Sequence, residues 1–452
     1  MGREEGSREQ CEVDGRTAPG RKDWGGKPLE SGRVAGWWGF GEGSRMGPMP
    51  RGPRSGEETQ ADGISLQTLN GKRDWLPFLR RMRNRDGGAL SDGNRLDLYF
   101  WGDPAFDAMR KAIEGAERTI HLEIYIFMSD EVGQSFVEAL ARKAETGVSV
   151  RVIYDSFGSR KAGKRHFNEL RRRGAQVAEF RPYLPWRLFG RNHRKLLVVD
   201  GKLAFTGGMN LADTYSARQS GTAAWRDTQL RVAGPAARDC DVMFRETWRM
   251  VTGKRLPEPP PFSWGEEETG CCTCLVVGSR GLKRRRVMRR LFSVHIGRAR
   301  EAIQLSVPYF APPRRLRKAL EHAREREVEI DLLVPEFTDV PVADWIREGL
   351  LPEFLELGIT IREYRGAVLH AKTMAVDGEV AVVGSTNYDY LSVALNLELS
   401  IVVYDREFAT RLLDQHRRDL KRAMPVDLER ARRRRWWQRF VARLAAFLVR
   451  RL

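Results

Sequence analysis

One pattern occurs twice in this chain, and it constrains the fold more than any other feature. "NHRKLLVVDGKLAFTGGMN" begins at residue 192 and "LHAKTMAVDGEVAVVGSTN" at residue 369. Each reads His-x-Lys, four residues, Asp-Gly, a short apolar strand, a turn of small residues and an Asn. The candidate catalytic set is therefore His193, Lys195 and Asp200 with His370, Lys372 and Asp377. The Asn offset is the same in both copies, 210 − 193 = 17 and 387 − 370 = 17. A single match of this kind is expected by chance on the order of 0.01 times per chain. Two with matching flanks mark a duplication that carries chemistry.

The duplication extends upstream of the motifs. "AFDAMRKAIEGAERTIHLEIYIF" reads as an amphipathic helix and a buried strand, and "LFSVHIGRAREAIQLSVPYF" repeats it. The helix "QSFVEALARKAETG" and strand "VSVRVIYD" are answered by "RRLRKALEHARERE" and "VEIDLLVP". Alternating strands and helices predict an α/β fold: two duplicated halves, each a mixed, mostly parallel sheet flanked by helices. The expected organisation is a first domain over 71–255, a Pro-rich and acidic linker over 256–269, and a second domain over 270–424. Residues 1–70, rich in Gly, Arg, Glu and Ser, are expected to be disordered, since they hold too little apolar surface to offset ordering entropy. Translation starting at Met46 or Met49 would also account for that segment.

The strand period explains the motif. Residues i and i+2 emerge on one side, so each His shares a face with its Lys while Arg194 or Ala371 turns away. A Lys ammonium beside a His holds a phosphate as a point charge, and Asn210 and Asn387 can add amide hydrogen bonds. Strand register does not fix Asp200 and Asp377; their place before Gly201 and Gly378 also suits a purely structural turn. His121, His166, His295, His322 and His416 lack counterparts in the other half and read as structural or surface residues. The run Gly-Cys-Cys-Thr-Cys at 270–274 has no matching Cys/His pair nearby and reads as the start of an apolar strand, so no metal is expected.

The paired motifs, the duplication and the "GGMN" and "GSTN" turns resemble the phospholipase D superfamily across roughly residues 95–420. The resemblance implies a single active site between two halves related by a pseudo-twofold axis, with no cofactor. One histidine attacks phosphorus and the other serves as acid and base, here His193 and His370 respectively. It also implies a histidine-orienting acid 28 to 34 positions after each His: Asp227 (227 − 193 = 34) and Glu398 (398 − 370 = 28). "GRNHRKLLVVDGKLAFTGGMNLAD", "WRDTQLRVAGPAA" and "VPYFAPP" are similar to bacterial cardiolipin synthases of the span-free kind. That implies phosphatidyl transfer between phospholipids, with phosphatidylglycerol as substrate. The alternatives are a phospholipase hydrolysing the same bond or a nuclease of the superfamily.

The net charge of +18 fits an anionic partner, either nucleic acid or acidic membrane. Both motifs lie on one chain, so a monomer suffices and nucleic acid is not required. No stretch reaches the roughly 18 apolar residues that cross a bilayer. Residues 425–452 instead predict a basic amphipathic helix, with Trp436, Phe440, Leu444 and Phe447 on one arc and Arg435, Arg439 and Arg443 opposite. Such a helix anchors on anionic lipid, giving an expected peripheral location at the cytoplasmic face of the bacterial inner membrane.

Overall fold

The computed structural model describes residues 88–181, 189–258, 264–265, 269–279 and 281–429. The expected disordered segment and all but the first five residues of the expected C-terminal helix lie outside these.

The first half opens with β1 (Ala89–Tyr99), α1 (Gly102–Glu114), β2 (Thr119–Ile124), α2 (Glu131–Glu145), β3 (Ser149–Asp155), α3 (Arg165–Arg172) and β4 (Gln176–Phe180). The apolar stripe of α1, Phe106, Met109 and Ile113, is buried as its period requires. α2 starts where the Asp130 carboxylate accepts from the Gly133 amide at 3.0 Å. The motif strands follow: β5 (Leu196–Val199), β6 (Leu203–Gly207) and β7 (Gln229–Ala233), with a short α4 (Ala217–Ser220) before β7 and a long α5 (Pro235–Thr252) after it.

The second half repeats this order. It runs β8 (Cys272–Gly278), α6 (Gly281–Arg298), β9 (Ala302–Ser306), β10 (Phe310–Ala311), α7 (Arg314–Glu325), β11 (Glu329–Pro335), α8 (Pro341–Glu356) and β12 (Thr360–Tyr364). The second motif supplies β13 (Thr373–Val376), β14 (Val380–Gly384), β15 (Tyr388–Asp389), α9 (Tyr390–Ala394) and β16 (Leu399–Tyr404). α10 (Arg406–Leu420) and β17 (Ala423–Pro425) end the described fold.

One sheet runs through both halves in the order β17-β12-β11-β9-β13-β14-β16-β8-β1-β7-β6-β5-β2-β3-β4. Read outward from the β8–β1 junction, the first seven strands on each side correspond, as a pseudo-twofold axis demands, and β17 is added beyond β12. β1 and β8 pair antiparallel across that junction, Ala89 opposite Val276. The sheet is mixed. Its parallel part is confined to β2-β3-β4 and β9-β11-β12, where crossover helices connect the strands. The middle is antiparallel because tight turns join the motif strands, β5 to β6 and β13 to β14. One core fills each half, and a third spans the junction, where Leu96, Phe244 and Trp248 join Leu399, Ile401 and Phe408. The halves are thus fused by a shared sheet and a shared core.

Candidate active site

The backbone brings the two motifs together by exchanging strands. His193 N donates to Leu397 O at 2.9 Å and Leu397 N to Arg191 O at 2.9 Å. Likewise His370 N donates to Arg226 O at 2.7 Å and Arg226 N to Val368 O at 2.9 Å. Each histidine is therefore zipped to the segment of the opposite half that carries its acid.

This crossing corrects the expected pairing. Spacing along the chain put Asp227 with His193 and Glu398 with His370. In the fold, His193 Nδ1 lies 3.1 Å from Glu398 Oε1, and His370 Nδ1 lies 2.6 Å from Asp227 Oδ2. Both acids are fully buried. Neither histidine's Nε2 has a protein partner among the described residues. With Nδ1–H donated to a carboxylate, Nε2 keeps the lone pair, the atom needed to attack phosphorus or to carry a proton.

Two residues at one position of the repeat make room for these acids. A Cβ at Gly208 would lie 2.1 Å from Asp227 Oδ1, so the first turn must be Gly-Gly. At the matching offset (208 − 193 = 15, 385 − 370 = 15) stands Ser385, whose hydroxyl donates to Glu398. The "GGMN" and "GSTN" turns thus treat their carboxylates differently.

The lysines flank the histidines as the strand period requires. Lys195 Nζ donates to His193 O at 2.8 Å and sits 5.1 Å over the Tyr125 ring. Lys372 Nζ is 2.8 Å from His370 Nδ1 and 3.9 Å from Asp227. The two asparagines differ. Asn210 accepts from Ile126 N at 3.1 Å and donates to the Tyr215 hydroxyl at 3.0 Å, whereas the buried Asn387 Oδ1 has no partner among the described residues. Aromatic rings the sequence did not flag enclose the site: Tyr125 is edge-on to His193, and Tyr215, Trp225 and Tyr309 surround His370. Their only sequence signal was position, just after the repeated strands or just before Asp227.

Burial sets the protonation. It lowers the His193 pKa, and burial plus the Lys372 charge takes His370 down to about 4, so both rings are neutral at pH 7. Burial also lowers Lys195 to about 7 and Lys372 to about 8. Burial alone would raise Asp227, but Lys372 and His370 outweigh it and hold the acid ionised. With both rings neutral, the two lysines at most balance the two carboxylates, and an entering phosphodiester brings negative charge that favours the protonated form of both lysines.

Asp200 and Asp377 do not belong to this group. Asp200 accepts from the amides of Glu117, Arg118 and Thr119 at 2.7 to 2.9 Å, and Asp377 from those of Arg300, Glu301 and Ala302 at 2.8 to 3.1 Å. Both have φ of 53°, followed by a Gly also at positive φ, so they form the hairpin turn and staple it to the start of β2 or β9. They are not catalytic, contrary to the expectation from the motif, and instead fix the register of the strand carrying His and Lys.

The remaining histidines are structural where their partners are seen: His121 against Asp241 at 2.6 Å, His295 against Tyr404 at 2.9 Å, His416 against Ser306 at 3.1 Å. Among the described residues, Cys271, Cys272 and Asp405 bring three possible metal ligands within 4.8 Å of one another. Asp405 is already engaged as the α10 cap, and burial pushes the Cys272 thiol up to about 12, away from the thiolate a metal needs. Cys272 to Gly278 form the strand expected there.

Fold and site together define a class: a duplicated α/β protein that processes phosphodiesters in one chamber, with each half completing the other's histidine. A family profile described as "Cardiolipin synthase, PLD-like domain" matches residues 109–248 and 293–420. The cardiolipin synthase of Geobacillus thermodenitrificans is 34% identical over 355 residues, covering 77% of this chain and 70% of that protein. That of Halalkalibacterium halodurans is 32% identical over 388 residues, covering 84% and 76%. The crystal structure of phosphatidylserine synthase from Haemophilus influenzae superposes with a TM-score of 0.63 at 13% identity, covering 82% of this chain and 99% of that one. The chain belongs to the cardiolipin synthase family of phospholipase D-like proteins.

Proposed function

We propose that the protein transfers a phosphatidyl group between phospholipids, making cardiolipin from two molecules of phosphatidylglycerol. The observation that carries this reading is the pair of neutral histidines, each held by the other half's carboxylate and flanked by a buried lysine, in a chain of this family. His370, neutral in the empty chamber, takes a proton from solvent at Nε2 once the phosphodiester anion is bound. His193 Nε2 then attacks phosphorus, the bond from phosphorus to the glycerol oxygen breaks, and His370 Nε2 gives that proton to the leaving glycerol. His370 then takes the proton of the second lipid's hydroxyl as that oxygen displaces His193 from phosphorus. Lys195, Lys372 and Asn387 stabilise the phosphoryl oxygens, and Asn210 holds Tyr215 against His370. His193 is assigned as nucleophile because three aromatic rings crowd His370, against one beside His193.

Among the described residues no helix is long and apolar enough to cross a membrane. The proposed reading has the protein work peripherally, on the cytoplasmic leaflet of the inner membrane, with the basic tail as an anchor. The test is incubation of purified protein with phosphatidylglycerol vesicles, with and without phosphatidylethanolamine, followed by lipid mass spectrometry. Cardiolipin formed by the wild type and absent with His193→Ala supports transfer. Phosphatidic acid as sole product points to hydrolysis, and inertness toward lipid alongside cleavage of DNA overturns the reading.

A further inference from the structure

The loop between β11 and α8 shows large apolar side chains to solvent beside the active site. Phe337 in the loop is 51% exposed, and on the first turns of α8 Val342 is 52% and Trp345 38% exposed. Large apolar groups displayed together on a soluble surface mark an interaction site. The loop is also held rigid. Thr338 N donates to Asp344 at 2.9 Å, and the buried Arg347 donates to Glu336 O at 3.2 Å and pairs with Asp344 at 3.1 Å. The Tyr309 hydroxyl donates to Asp339 in the same loop, and the Tyr309 ring packs edge-on to His370, 6.1 Å between centroids. The apolar display is thus tied to a catalytic histidine through one side chain.

A cationic cleft lies between α6 and the start of α7, on the chain that follows Tyr309. Arg289, Pro313, Arg314, Arg315 and Lys318 line a cavity of about 310 Å³. Arg314, Arg315 and Lys318 are exposed on the first turns of α7, and none of the four cations has an ion-pair partner among the described residues. Arg314 follows Tyr309 by 314 − 309 = 5 residues. At ~3.5 Å per residue the Cα of Arg314 is within about 17 Å of that of Tyr309, whose ring packs on His370. Unpaired cations and exposed aromatics on the two sides of Tyr309 complement one kind of surface, apolar inside and anionic at its face.

We propose that this rim docks on a bilayer of anionic phospholipid: Phe337, Val342 and Trp345 enter the headgroup region, and the α6–α7 cleft binds the phosphate of a neighbouring lipid. The rim then faces the chamber toward the membrane, so a lipid reaches His370 without leaving the bilayer. This goes beyond the tail helix as an anchor, and it rests on the proposed lipid substrate.

Hydrogen exchange of the full chain tests it without any substitution. Amides of 336–346 should be protected by phosphatidylglycerol vesicles and much less by phosphatidylcholine vesicles, with the protection falling as salt rises. Phe337→Ser/Trp345→Ser and Arg314→Glu/Arg315→Glu should each lose about tenfold more turnover on vesicles than on dispersed short-chain phosphatidylglycerol. Unchanged exchange in this loop while the protein is vesicle-bound, or equal loss on both substrate forms, overturns the proposal. So does protection that depends on protein concentration or DNA rather than lipid. The same loop protection should persist in the catalytically dead His193→Ala protein, and its loss there would overturn docking. Loop protection with no cardiolipin from the wild type would leave docking standing and remove the chemistry; cardiolipin with an unprotected loop would do the reverse.

Discussion

Glu398→Gln isolates the crossed pairing. Glu398 belongs to the second half, yet its carboxylate lies 3.1 Å from His193 Nδ1 in the first. As His193 attacks phosphorus its ring becomes cationic. At an effective dielectric of about 20, a unit charge pair at that distance interacts by ~5 kcal/mol. Glutamine keeps the shape and removes the charge. It can also present its NH2 to Nδ1, which moves the ring proton to Nε2 and blocks attack. With part of the charge developed in the transition state, kcat should fall about 10²- to 10⁴-fold. The assay is phosphatidyl transfer by lipid mass spectrometry, with melting temperature as the folding control. Histidine ¹⁵N spectra supply the decisive control. Glu398→Gln should shift the Nδ1 signal of His193 and leave that of His370, and Asp227→Asn should do the converse. Shifts in the opposite pattern, or a fall in kcat below threefold, would refute the crossed account.

Other expectations follow from the same geometry. Lys195→Ala and Lys372→Ala should each cut kcat/KM by at least 10²-fold, checked on dispersed short-chain substrate. Lys195 and Lys372 titrate near 7 and 8, so kcat/KM should decline as pH rises through 7 to 8 and the lysines lose the charge that binds phosphate. Stability should move the other way. The unfolded chain binds more protons than the native one between pH 7 and the ordinary lysine pKa of 10.5, so ΔG of unfolding rises with pH across that window, measurable by urea titration. Asp200→Ala leaves three amides without their acceptor and should cost about 1–3 kcal/mol of stability, with kcat per folded molecule nearly unchanged. Gly208→Ala drives a methyl into the Asp227 carboxylate and should lower kcat by displacing it from His370.

Much of the fold was legible because periodicity is local. The apolar stripe of α1 and the i, i+2 placement of His193 with Lys195 need only the chain's own repeat. The duplication was legible for the same reason, since two copies of a pattern can be compared without knowing where either lies in space. The crossed pairing was not. An offset of 34 or 28 residues counts positions along the chain, while the partner of His193 is chosen by the backbone bond to Leu397 from the other half. The roles of Asp200 and Asp377 depended on tertiary amides at residues 117–119 and 300–302, which no local rule brings to the turn. The enclosing aromatics were missed because Tyr309 sits in a loop and Tyr215 at the end of a three-residue 3-10 turn, where period carries no information. The antiparallel centre of the sheet was half visible: Asp-Gly between two apolar runs is a hairpin signal.

The central claim is one chamber in which a single histidine carries the phosphatidyl group while the other half completes it. Protein mixed with phosphatidylglycerol, quenched in base within its first turnovers and digested, can be mapped by peptide mass spectrometry. The account predicts a phosphatidyl adduct on the His193 peptide, lost in His193→Ala and strongly reduced in Glu398→Gln. Cardiolipin formation at the wild-type rate with no adduct on either histidine, or activity surviving loss of both, would contradict it.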